Sequence, residues 1–140
     1  MAGSANPLVG IVVVSHSPRL AEGIVELAGQ MAADDLALRA VGGTADGRLG
    51  TDADRIAAAL RSADSGAGVL VLADLGSAIM ATEAAIETLD PEIAARIRIS
   101  GGPIVEGAVV AAVQASIGDS LADVLRSAES AAQLDKGVSR

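Results

Sequence analysis

An α/β fold, with an open parallel sheet of four strands and helices on both faces, is the class this sequence predicts. Three observations predict it. Apolar segments alternate between short β-branched runs and longer stretches with helical spacing. Each strand-like run is followed by its own helix-like stretch, the pattern of βαβ units in series with right-handed crossovers. The two most apolar runs, at 9–14 and 68–73, have no polar alternation, as expected of central strands buried on both faces.

Taken in order, residues 9–14 read Val-Gly-Ile-Val-Val-Val and form the first strand. Ser15-His16-Ser17-Pro18 follows, where Ser17 is suited to an N-cap and Pro18 to the first helical position. Leu20, Ile24, Leu27 and Met31 then recur at helical spacing and predict an inward stripe. A second strand at 36–41 ends at Gly42-Gly43, and a glycine-rich loop runs over 42–50. Thr51 is the expected cap of a second helix bearing Ile56 and Leu60. Residues 68–73 repeat the first strand and end in Asp74-Leu75-Gly76-Ser77. The third helix is expected to turn Ile79, Ile86 and Leu89 inward and to stop near Asp90-Pro91. Residues 97–100 make a fourth strand, and the flanking Arg96 and Arg98 place it at an edge. Gly101-Gly102-Pro103 leads into a helix from about Ile104. Asp119 is the expected cap of a last helix with Leu121, Val124, Leu125 and Ala128. A single domain over 1–140 is expected, with loose ends at 1–7 and 136–140.

Composition narrows the function. The 140 residues are 51% hydrophobic with a mean hydropathy of +0.48, so the chain folds, yet Phe, Trp and Tyr are absent. Its core must be close-packed Val, Ile, Leu and Ala. A net charge of −8 and the lack of aromatic rings argue against a nucleic-acid or membrane partner. No apolar run reaches the length of a membrane helix and no leader is visible, so a cytoplasmic location is expected. Without cysteine and with one histidine, no metal site is expected. Lys136 is the only lysine, which removes P-loop and Schiff-base chemistry, and no G-x-S-x-G elbow is present.

His16 follows the first strand and Asp74 follows the third. In open parallel sheets the working site lies outside the carboxyl ends of the strands, where the strand order reverses. If these two strands flank that point, His16 and Asp74 meet there. A carboxylate accepting Nδ1–H would fix the ring tautomer and leave Nε2 as nucleophile. The helix N-terminus after His16 would stabilise a phosphoryl group held there. Gly76 and Ser77 open the third helix and are candidate phosphate ligands, as is Ser17; Ser77 serves equally well as an N-cap, and Asp74 as a turn former. Arg19, Thr44 and Arg48 are candidate contacts to phosphate or to a partner, and for the loop of Thr44 and Arg48 the plain alternative is a solvated segment.

The segment Val12-Val13-Val14-Ser15-His16-Ser17-Pro18-Arg19-Leu20-Ala21-Glu22-Gly23 resembles the active-histidine segment of the DhaM family. This is the phosphotransferase subunit family of phosphoenolpyruvate-dependent dihydroxyacetone kinases, within the mannose-type IIA components of the sugar phosphotransferase system (PTS). Gly42-Gly43-Thr44, Asp46-Gly47-Arg48-Leu49-Gly50-Thr51, Asp74-Leu75-Gly76-Ser77-Ala78 and Pro103-Ile104-Val105-Glu106-Gly107 resemble the family's later motifs, in order, over Leu8 to Gly118. The resemblance implies strand order 2-1-3-4, a homodimer, and no intrinsic cofactor. It implies a transient phosphohistidine at His16 Nε2, oriented by Asp74, charged by the carrier protein HPr. The phosphoryl group would pass to ADP bound on a DhaL subunit, and the ATP so formed would serve dihydroxyacetone on DhaK. Two other readings stand beside this one: a mannose- or fructose-type IIA component feeding a sugar permease, and a non-enzymatic flavodoxin-like regulatory domain.

Overall fold

The computed structural model describes residues 6–138. Four strands, β1 (Gly10–Ser15), β2 (Leu38–Gly42), β3 (Val69–Ala73) and β4 (Ile97–Ser100), form one parallel sheet in the order β2-β1-β3-β4. The helices are α1 (Pro18–Gly29), α2 (Ala53–Ala63), α3 (Gly76–Glu87), α4 (Pro91–Ala94), α5 (Ile104–Ser116) and α6 (Leu121–Ser130), followed by a 3₁₀ turn at Ala131–Gln133. The short α4 has no counterpart in the sequence reading. Of the ends expected to be loose, residues 1–5 and 139–140 lie outside the described residues. Lys136 Nζ is 2.8 Å from Glu106 Oε2 on α5.

Strand alternation assigns the side chains of the central pair to two cores. Ile11 and Val13 of β1, with Leu70 and Leu72 of β3, pack on α1, α5 and α6 through Ala21, Ile24, Ala111, Ala115, Val124 and Ala128. Val12, Val14, Val69 and Val71 point the other way, onto Ile56 and Leu60 of α2 and Ala78 and Ala85 of α3. Fully burying one such Val, Ile or Leu stabilises the fold by about 1.5–3 kcal/mol. Alanine on the helical side lets backbones approach: a Cβ on Gly10 would strike the Ala63 carbonyl of α2.

Several local expectations are corrected. In α1 the buried residues are Ala21, Ile24 and Ala28, while Leu20, Leu27 and, just past the helix end, Met31 are 43%, 52% and 58% exposed. Ile24 points inward as its spacing predicts, but alanine fills the rest of the stripe and lets the helix lie close to the sheet. In α3 the same rule puts Ala78, Thr82 and Ala85 inward, leaving Ile79 and Ile86 half-buried at the flanks; Leu89 is buried as expected. The cap of α2 is Asp52, not Thr51, since its Oδ1 accepts the N–H groups of Asp54 and Arg55 at 2.9 and 3.3 Å. The cap of α6 is Ser120, whose Oγ accepts Asp123 N–H at 3.2 Å; Asp119 instead accepts from Gln114 Nε2 at 2.9 Å. At α1, Ser17 and Pro18 are the cap and first residue the sequence predicts.

Candidate functional site at the ends of β1 and β3

Because β1 and β3 are hydrogen-bonded neighbours, the turns that follow them leave the sheet side by side. The Asp74 N–H donates to the Val14 carbonyl at 3.2 Å, carrying the ladder one residue further. His16 and Asp74, 58 residues apart in the chain, therefore meet: Nδ1 of the ring is 2.9 Å from Asp74 Oδ1.

The carboxylate has a full set of donors. Oδ1 also accepts Leu75 N–H at 2.8 Å, while Oδ2 accepts His16 N–H at 3.0 Å and the Ser15 hydroxyl at 2.8 Å. Burial pushes the Asp74 carboxyl up, but the bonds from the His16 backbone, Ser15, the His16 ring and Leu75 outweigh it and hold the group below its ordinary value. A carboxylate accepts only, so Nδ1 is the donor and Nε2 keeps its lone pair. The His16 side chain is 25% exposed and that of Asp74 12%, so the ring reaches solvent while its orienting group is shielded.

Ser77, on the first turn of α3, places Oγ 2.5 Å from His16 Nε2. It is not the cap of α3. Leu75 holds that position and supplies no side-chain hydrogen bond, so the start of α3 opens beside the ring without a capping group. A Cβ on Gly76 would meet nothing, so the protein's own packing does not demand glycine there. Ser17 is adjacent in sequence, but its Oγ is occupied as the cap of α1, accepting Leu20 N–H at 3.2 Å.

Arg19, Thr44 and Arg48 make no hydrogen bond to the ring, whose partners are Asp74 and Ser77. Thr44 Oγ1 donates to the Asp46 carboxylate, and Arg48 Nε lies 3.0 Å from Asp46 Oδ2, closing the loop on itself. The Thr44 and Arg48 bonds hold the exposed Asp46 carboxyl below its ordinary value. Arg19 and Arg48 border an open depression of about 660 Å³ beside Ser17 and Pro18.

Sequence reasoning missed three contributors. Ser15 is fully buried and bridges the two turns. Gly42, at the start of the glycine-rich loop, is a seat for the histidine turn: a Cβ there would lie 2.5 Å from Ser17 O and 2.7 Å from Pro18 Cα. Arg55 braces that seat, with Nη1 at 2.8, 3.1 and 3.2 Å from the carbonyls of Gly42, Gly43 and Thr44. The same loop returns to the site through Gly50 N–H, which donates to the His16 carbonyl at 2.9 Å. The serine ending an otherwise apolar strand was the one signal available for Ser15.

Residues 10–125 match the family model EIIA-man, described as the PTS system fructose IIA component. The phosphoryl donor subunit DhaM of a dihydroxyacetone kinase from Listeria innocua is 39% identical over 119 residues, covering 85% of this chain and 95% of the relative. The phosphoryl donor subunit DhaM from Escherichia coli is 41% identical over 121 residues, 84% of this chain; there the chain spans only 26% of the relative's length. Among solved structures, the unknown-function protein EF1359 superposes with a TM-score of 0.82 at 35% identity, covering 94% of this chain and 99% of that one. A phosphotransferase system component EIIA from Streptococcus agalactiae shares the fold, with a TM-score of 0.66 at 18% identity over 95% of this chain and 97% of that one. The chain belongs to the EIIA-man family of phosphotransferase-system components, within its DhaM group.

Proposed function

We propose that the protein is a phosphohistidine carrier that receives a phosphoryl group on His16 Nε2 and hands it to the nucleotide of a dihydroxyacetone kinase. The observation that carries this reading is the 2.9 Å contact between His16 Nδ1 and a fully hydrogen-bonded Asp74, which leaves Nε2 facing solvent at the open start of α3. The Nε2 lone pair attacks the phosphorus of the donor's phosphohistidine, the N–P bond in the donor breaks, and its electron pair stays on the departing imidazole. Positive charge on the phosphorylated ring is balanced by Asp74 through Nδ1–H, and the phosphoryl oxygens lie in the field of the α3 N-terminus. The Ser77 hydroxyl, no longer able to donate to an occupied Nε2, turns to a phosphoryl oxygen. Discharge reverses these steps, with a terminal phosphate oxygen of ADP as the attacking group.

The donor in this reading is HPr, the acceptor is ADP bound on a DhaL subunit, and DhaK carries the final substrate; the names of the relatives, phosphoryl donor subunits of dihydroxyacetone kinases, support the kinase as the destination. A cytoplasmic homodimer goes with it, to be checked by light scattering. The family model's own description favours one second reading, a component feeding a sugar permease. Incubation with phosphoenolpyruvate, enzyme I and HPr should add about 80 Da in acid-labile form, the mass of one phosphoryl group. Adding DhaL–ADP and DhaK should then move the label to dihydroxyacetone. Charging without that discharge supports the permease reading, and no charging at all supports a regulatory domain.

A further inference from the structure

We infer that Ser15 is a positioning residue for the imidazole, its hydroxyl holding the plane in which the Asp74 carboxylate meets Nδ1. The consequence for transfer rate rests on the phosphocarrier reading; the consequence for the ring itself does not.

Ser15, Thr82 and Ser100 are the buried polar residues among those described. The other two act locally. Thr82 Oγ1 donates to Ala78 O in its own helix at 2.8 Å, and Ser100 Oγ accepts Gly102 N–H at 3.0 Å in its own turn. Ser15 makes the same local bond, accepting Ser17 N–H at 3.0 Å, and then spends its one proton on Asp74 Oδ2, 2.8 Å away. A hydroxyl with its proton and an acceptor site both engaged inside a dry environment has no freedom to turn. It ties the start of α1, the end of β1 and the carboxylate into one unit. Without it, Oδ2 keeps only the His16 N–H. The backbone N–H groups of His16 and Leu75 still hold the carboxylate, but with one donor fewer it tilts more widely about χ2. Its hold on Nδ1 loosens, and the ring samples both neutral tautomers, one of which has a protonated Nε2 that cannot attack phosphorus.

The test compares wild type with Ser15→Ala, Ser15→Thr and Ser100→Ala by nitrogen-15 NMR of the His16 ring across pH, with no phosphoryl donor present. Initial rates of charging and the half-life of the phosphoprotein are measured separately. Ser15→Ala should replace a single Nδ1–H tautomer by a mixture, slow charging about tenfold, the scale of losing a group that orients a histidine, and shorten the half-life. Ser15→Thr, which keeps the hydroxyl, should restore the tautomer and the rate. Ser100→Ala should lower Tm through its own turn and leave both readouts unchanged. If the alanine variant fails to fold, Ser15→Gly, which also removes the hydroxyl, is read instead. An unchanged tautomer and charging rate in Ser15→Ala, or an unchanged tautomer in the glycine variant, overturns the proposal. A tautomer shift in a protein that HPr does not charge refutes the carrier reading and leaves the positioning role standing.

Discussion

At the end of β1 the Ser15 hydroxyl accepts the Ser17 N–H, and at the end of β4 the Ser100 hydroxyl accepts the Gly102 N–H, both at 3.0 Å. Both serines are buried, and both turns lead into a helix on the same face of the sheet. Their surroundings differ. β1 lies between β2 and β3, so its turn has a neighbour on each side: the Gly42 seat on one and Asp74 on the other. β4 is an edge strand with one neighbour, and the polar help its turn receives is Glu129 accepting Gly101 N–H at 3.1 Å from α6. One local motif thus closes both strands, and position in the sheet decides which of the two acquires a histidine–carboxylate pair.

The largest way to break that comparison is His16→Ala. It should abolish charging by HPr while circular dichroism and Tm stay close to wild type; labelling that survives would move the nucleophile elsewhere. Next is Asp74→Asn, which keeps the shape and removes the charge. Charging should fall about 100-fold, the upper range for loss of a histidine's carboxylate partner, and the phosphoprotein should decay faster. A paired glycine test comes third. Gly42→Ala pushes on Ser17 and Pro18, and Gly102→Ala drives a Cβ into the Ala128 carbonyl. Each should cost about 2 kcal/mol by overpacking, but only Gly42→Ala should slow charging in step, since only it displaces the histidine turn. Equal charging rates in the two variants would remove the distinction between the turns.

The smallest effect is on acid stability. The Asp74 carboxyl is held below its ordinary value of 3.8, so the folded state binds that proton less readily than the unfolded chain. Its contribution is present above the unfolded value and is lost as pH falls through the lower folded value. Urea titrations at neutral pH and well below pH 3.8 should therefore show less acid sensitivity in Asp74→Asn than in wild type. An equal slope would deny the carboxylate its hydrogen-bonded state.

Where large aliphatic side chains carry the packing, the sequence was transparent. Ile24, Ile56 and Leu60 point inward as their spacing predicts, and the β1 and β3 runs are buried on both faces. Where alanine carries it, the reading turned α1 and α3 by part of a turn. Hydropathy favours Leu20 and Ile79 over Ala21 and Ala78, but contact distance favours the smaller residue. His16 and Asp74 were legible because loops after adjacent parallel strands converge. Ser15 was not, since nothing local separates a serine that closes a turn from one that also bonds across to the next. Arg55 was not legible either, because its three carbonyl partners come from a loop whose path the sequence does not specify.

The inner position of β1 also sets when the site comes into being. A ribosome delivers the imidazole early, but the acidic group that orients it arrives 58 residues afterwards and settles only once β3 has docked. Nascent chains that reach only through α2 therefore bear the imidazole without the carboxylate that pairs with it. Completion of the His16–Asp74 pair thus depends on the pairing of β1 with β3, a contact between segments far apart in the chain.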